Sequence, residues 1–147
     1  MYTYLIFVIV LSTHVFAGPL LNDSTHELEE HIKKAVASCK NELNITDVLY
    51  DKRFKEPFPQ ELKCYWKCYG EKLGLIVDKK VNWDQIVSTT EKVHKNEQTR
   101  KVALQAVDTC KNTVPEVPDL CEYSFDLSKC MYTEMEKNRG QRGQEDK

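Results

Sequence analysis

The sequence lacks the signals that would make it an all-β domain, a zinc protein, an enzyme or a membrane anchor. Five prolines and five glycines in 147 residues are few, and strict alternation of polar and apolar residues is scarce, which argues against a β-sandwich or barrel. There is no C-x-x-C pair and no histidine pair at ligand spacing, so a zinc site lacks its usual donors. No G-x-S-x-G, H-E-x-x-H or phosphate-binding glycine loop occurs. A helical secreted phospholipase would need a His-Asp pair beside a cysteine and a glycine-rich calcium loop, and neither is present. With no nucleophile paired to a base, catalysis is not expected, and no cofactor or metal is implied. There is also no excess of one charge. Lys and Arg number 21 against 23 Asp and Glu, a formal net charge of −2, which argues against a nucleic-acid binder or an anionic-membrane binder.

One apolar run stands out, Leu5 to Leu11. It is too short to be a permanent membrane helix, and Val15 and Ala17 occupy the two positions that signal peptidase reads. Residues 1–17 therefore read as a signal peptide, although only the α-amine supplies positive charge before the apolar core. No second long apolar run follows, so a secreted, extracellular product without stable membrane insertion is expected. It would comprise a helical domain over 18–136 and a polar tail over 137–147. That tail has no apolar residue and two glycines, and is expected to be disordered.

What is present is cysteine: Cys39, Cys64, Cys68, Cys110, Cys121 and Cys130, separated by 24, 3, 41, 10 and 8 residues. In an exported chain this small, six cysteines read as three disulfides. Each bridge restricts the unfolded chain by roughly 3–4 kcal/mol in the chain-entropy model. Counting alone leaves as many as fifteen pairings open.

Between the cysteines the chain reads as helix. Ser24-Thr25-His26-Glu27 has the form of a capping box. Leu28, Ile32, Ala35, Val36, Cys39 and Leu43 then recur at helical spacing. A short second helix is expected from Thr46, stopping before Pro57. A third follows Pro59, with an aromatic face of Tyr65, Trp66 and Tyr69, and Gly74 to end it. The fourth is expected to start at Asn82 and the fifth to run from Glu97 to Cys110. The sixth is expected to start near Asp119 and to carry Tyr123, Leu127, Cys130, Met131 and Met135.

Cys39, then Cys64-Tyr65-Trp66-Lys67-Cys68, then Cys110, Cys121 and Cys130 resemble the pattern of the insect odorant-binding proteins. The match is to the six-cysteine pheromone and general odorant-binding family. Three residues between the second and third cysteines, and eight between the fifth and sixth, are that family's most fixed intervals. The resemblance implies an all-α fold, a compact bundle of about six helices stapled by three interlocked disulfides around an apolar cavity. It implies the pairing Cys39–Cys68, Cys64–Cys121 and Cys110–Cys130. It further implies a small hydrophobic organic ligand, an odorant or pheromone carried through aqueous lymph, with a chemosensory receptor as a further candidate partner. A monomer or weak homodimer is the expected state. The polar tail departs from family members whose long apolar tails fill the cavity.

Ligand pockets are mostly apolar with a few orienting polar groups. On the resemblance, Ile32 and Val36 form one candidate wall and Tyr69, Leu73 and Ile76 another. Ile86, Val87, Val107, Leu127 and Met131 close it. Each of these serves equally as plain core. Tyr69, Tyr123 and Tyr132 offer a hydroxyl either to a guest or to the backbone. His26, His31 and His94 read as solvated. Asn22 and Asn44 head glycosylation sequons. Two other roles are open to such a chain. One is a carrier of lipophilic molecules outside chemosensory tissue. The other is a secreted helical signalling or interaction protein with no cavity.

Overall fold

The computed structural model describes the backbone of residues 20–145 and the side chains from Thr25 to Asn138. The export segment, residues 1–17, and the Asn22 side chain lie outside that range. Six α-helices are described: α1 Leu20–Glu42, α2 Asp47–Tyr50, α3 Lys63–Lys72, α4 Trp83–Val93, α5 Glu97–Thr113 and α6 Leu120–Glu145. A 3-10 turn, Gln60–Leu62, leads into α3.

The caps explain most of the boundaries. Thr46 Oγ1 accepts the Leu49 N–H at the start of α2. The Asn82 and Asn96 side chains accept the Gln85 and Thr99 N–H groups at the starts of α4 and α5. The Asp119 carboxylate accepts the N–H groups of Cys121 and Glu122 and opens α6. Each bond satisfies a donor that the first helical turn leaves unpaired. At the other end, α3 closes with Gly74 at φ 69°. The Leu75 and Gly74 N–H groups return to the Gly70 and Glu71 carbonyls, the paired bonds of a Schellman motif. α1 closes the same way, with Asn44 at φ 52° and Ile45 N–H bonded to the Lys40 carbonyl. Ile45, just past that turn, is buried.

Four features differ from the sequence reading. α1 begins at Leu20, so Ser24 lies inside the helix and does not cap it; nothing in Leu20-Leu21-Asn22-Asp23 breaks a helix. α5 runs three residues past Cys110, to Thr113. A two-stranded antiparallel hairpin, β1 Ile76–Val77 and β2 Lys80–Val81, follows α3. Its loop residues Asp78 and Lys79 both have positive φ, 49° and 62°, as a two-residue hairpin turn whose twist suits the strands requires. Finally, α6 continues through the expected tail to Glu145. Residues 137–145 contain Lys, Arg, Glu and Gln, which favour helix, and no proline, while Gly140 and Gly143 disfavour it.

The six cysteines pair as Cys39–Cys68, Cys64–Cys121 and Cys110–Cys130, with Cα–Cα distances of 5.8, 4.4 and 5.8 Å. None is left as a thiol. α3 is thereby joined to α1 and α6, and α6 to α5. Ion pairs run along the same joints: Lys72–Glu42 at 2.8 Å between α3 and α1, and Lys63–Glu122 between α3 and α6. The hydrogen bond from Lys72, with another from Ser38, holds the Glu42 carboxyl below the usual carboxylate range.

Two apolar clusters fill the frame. One joins Cys39, Ile45, Leu62 and Tyr65, with Tyr50 and Trp66 against it. Tyr65 is almost wholly buried, and burial together with a hydrogen bond to Tyr50 pushes its hydroxyl pKa far up. The other cluster joins Cys110, Tyr123 and Leu127, with Val81, Trp83 and Met131 against it.

Candidate functional site

Between the frame and α4 the interior is not filled. A cavity of about 730 Å³ opens there. Its residues come from five places, and helical periodicity selects those on the helices. From α3 come Trp66, Tyr69 and Gly70; from the turn and hairpin, Leu75, Ile76 and Val81. From α4 come Ile86, Thr89, Thr90 and Val93, with His94 at its C-cap. From α6 come Ser124, Leu127, Ser128, Met131, Tyr132, Met135 and Glu136, a single face at three- and four-residue steps. Phe54 reaches in from the loop after α2.

The cavity has an aromatic end and an aliphatic end. Phe54 stacks on Tyr132 with ring centroids 4.5 Å apart and planes 5° apart, and lies 5.5 Å from Trp66. Trp66 and Tyr69 meet edge to face at 6.2 Å. The Arg53 guanidinium sits over the Phe54 ring at 5.0 Å and over Tyr50 at 4.2 Å, cation–π contacts that brace the loop. At the aliphatic end, Ile76 presses against Gly70. A Cβ on Gly70 would stand 2.9 Å from Ile76 Cδ1. Glycine therefore sits inside α3, where it costs helix stability, and lets the hairpin close on the helix.

Polar groups are few. The Thr90 hydroxyl donates to the Ile86 carbonyl at 2.8 Å, so it is already committed. Thr89 Oγ1 accepts from Gln85 Nε2 at 3.5 Å. Burial pushes the Tyr69 hydroxyl pKa up and holds His94 below the ordinary histidine value. Both groups are thus biased toward the neutral form.

Of the ten residues expected to form the pocket, the structure brings five together at this cavity: Tyr69, Ile76, Ile86, Leu127 and Met131. Ile32, Val36, Leu73, Val87 and Val107 are not among its lining. Ile32 and Val36 are half-buried on α1, none of whose described side chains lines the cavity. Leu73 and Val107 are buried elsewhere, and Val87 is 38 % exposed. Tyr132 lines the cavity and Tyr123 does not. His26 and His31 are exposed as expected, whereas His94 is half-buried against the cavity. Phe54, Trp66, Gly70, Val81, Val93 and the serines of α6 were not in the expected set. Trp66 carried an early signal, because it belongs to the aromatic face of α3.

The chain matches the model of the PBP/GOBP family over residues 22–134. Among the solved structures that share its fold are two insect odorant-binding proteins. Apis mellifera odorant binding protein 5 superposes with a TM-score of 0.65 at 23 % identity, over 74 % of this chain and 89 % of that one. Odorant-binding protein dmelOBP28a from Drosophila melanogaster superposes with a TM-score of 0.60 at 24 % identity, over 78 % of this chain and 97 % of that one. With the family match covering most of the sequence, the chain belongs to the PBP/GOBP family, the six-cysteine insect odorant-binding proteins.

Proposed function

We propose that this protein is a secreted carrier that takes small hydrophobic odorants or pheromones into the cavity between α3, α4 and α6. It would move them through the aqueous lymph around sensory neurons and deliver them to a chemosensory receptor. The observation that supports this most is the cavity itself. Its volume of about 730 Å³ lies within the ~300–1,000 Å³ of small-molecule sites, and its walls are mostly apolar with a few polar groups. The chain acts by binding, without catalysis. The working domain begins near Gly18 once the export segment is removed. Asn22 and Asn44 are its candidate glycan acceptors, and Asn44 is exposed in the α1–α2 turn.

Burial of an apolar guest, offset by its lost freedom, is expected to give micromolar affinity, roughly −8 kcal/mol. Binding should change little with salt, because apolar burial releases no counterions. Displacement of a fluorescent apolar probe across a panel of terpenoid, aromatic and straight-chain guests tests the reading. Displacement by at least one class at micromolar concentration supports it. Failure of the folded protein to take up any probe would favour a helical interaction protein instead. Mapping the transcript to antenna or to another tissue then separates an odorant carrier from a general one.

A further inference from the structure

Ser124 breaks the pattern of the cavity wall. It is 5 % exposed, on the second turn of α6. Its hydroxyl is the one buried side-chain polar atom among the described residues with no hydrogen-bond partner. A serine within a helix ordinarily turns back to the carbonyl four residues earlier, and here that bond is not made. Ser124 nevertheless lines the cavity, and Ser128 lines it one turn further along the same face. Three residues before Ser124, Cys121 is bonded to Cys64 of α3, so this part of the wall is held in place. Of the other hydroxyls in the lining, that of Thr90 already donates to the Ile86 carbonyl.

Resting on the carrier reading, we propose that Ser124 is the residue that selects the ligand's polar group. Its hydroxyl donates to an acceptor oxygen of an otherwise hydrocarbon guest, the carbonyl of a ketone, aldehyde or ester or the hydroxyl of an alcohol. The oxygen is buried in the wall of the cavity, so it meets a guest by turning about χ1 to another staggered position. A methylene there leaves the hydroxyl unsatisfied, whereas a carbonyl satisfies it.

The test uses a matched pair: an aliphatic methyl ketone, and the hydrocarbon with methylene in place of its carbonyl. Both are measured by probe displacement on the wild-type protein and on Ser124→Ala. Alanine is the better helix former, and circular dichroism checks the fold. The ketone is expected to lose about three- to tenfold in affinity in the variant, the contribution of one neutral hydrogen bond. The hydrocarbon is expected to bind both proteins alike. The infrared carbonyl stretch of the bound ketone should lie at lower frequency in the wild type than in the variant. An unchanged ketone affinity or carbonyl frequency overturns the assignment, as does an equal loss for both guests. In those cases hydrocarbon binding to the wild type leaves the carrier reading standing. If the folded wild type takes up neither guest nor the fluorescent probe, the carrier reading falls and this proposal falls with it; uptake of the probe without the ketone overturns this proposal alone.

Discussion

The two walls of the cavity are built differently. The α3–α6 wall is joined directly by Cys64–Cys121, tied outward by Cys39–Cys68 and Cys110–Cys130, and reinforced by the Lys63–Glu122 pair. The α4 wall carries no cysteine. It packs on α5 and, more lightly, on α1. Val93, a lining residue at its end, is 45 % exposed. A cavity subtracts packing contacts from whatever surrounds it. Cross-links compensate on one side only, which makes α4 the wall with the least to hold it when the cavity is empty. The free energy of local opening differs between such regions of one fold, and a guest that fills the space should matter most to α4.

Breaking the frame should have the largest effect. Replacing Cys64 and Cys121 together by serine removes the bridge with the longest separation, 57 residues. It should cost about 4 kcal/mol in the chain-entropy model. Cys110→Ser with Cys130→Ser opens a separation of 20 and should cost about 3 kcal/mol. Urea unfolding measures both, and the reverse order would mean that the α3–α6 joint is not the main staple.

Ligand should sharpen the contrast between the walls. At a free concentration of 100 times Kd, a guest that binds only the closed form protects it by up to about 2.7 kcal/mol. In amide hydrogen exchange that gain should appear in α4, over Ile86–Val93, and be smaller in α3, over Tyr65–Gly70. Equal gains in both would remove the distinction drawn between them.

Filling the space from the rigid side comes next. Met131→Trp should lower apolar-ligand affinity by about tenfold, because the larger side chain occupies the guest's volume. Circular dichroism confirms the fold. Unchanged affinity in a folded variant would take Met131 out of the binding wall.

The smallest effect belongs to His94. Burial depresses its folded-state pKa below the unfolded value of about 6.5. The unfolded chain therefore binds the proton more readily. The associated stability is present in full above about pH 6.5 and is lost as pH falls through the lowered folded value. Thermal melts between pH 8 and 5 should show this decline in the wild type and a shallower one in His94→Gln. Identical slopes would mean that His94 is not the titrating group.

Much of the frame was readable before the fold. Thr46, Asn82 and Asp119 announce helix starts and Gly74 a helix end, because capping is local chemistry between neighbouring residues. The disulfide pairing came through family resemblance, since spacing alone does not choose among pairings. The hairpin escaped because each strand is two residues long, too short for alternation to register, and because Asp78-Lys79 lacks the glycine that usually marks such a turn. The cavity was half readable for a different reason. Periodicity shows which face of a helix turns inward, but not what it meets there. Ile86 and Val87 are adjacent and equally apolar, yet a helix turns about 100° between them, and only Ile86 reaches the cavity. Ser124 and Phe54 carried no apolar-stripe signal, one being polar and the other lying in a loop.

The central claim is that an apolar guest sits between the cross-linked wall and α4. Intermolecular nuclear Overhauser effects from a bound, perdeuteration-contrasted guest to methyl groups of the protein test it most directly. Contacts are predicted to the methyls of Ile76, Ile86, Leu127 and Met131, from both walls at once, and not to Val87 or Val107. Contacts confined to one wall, or running instead to Ile32 and Val36 on α1, would contradict it.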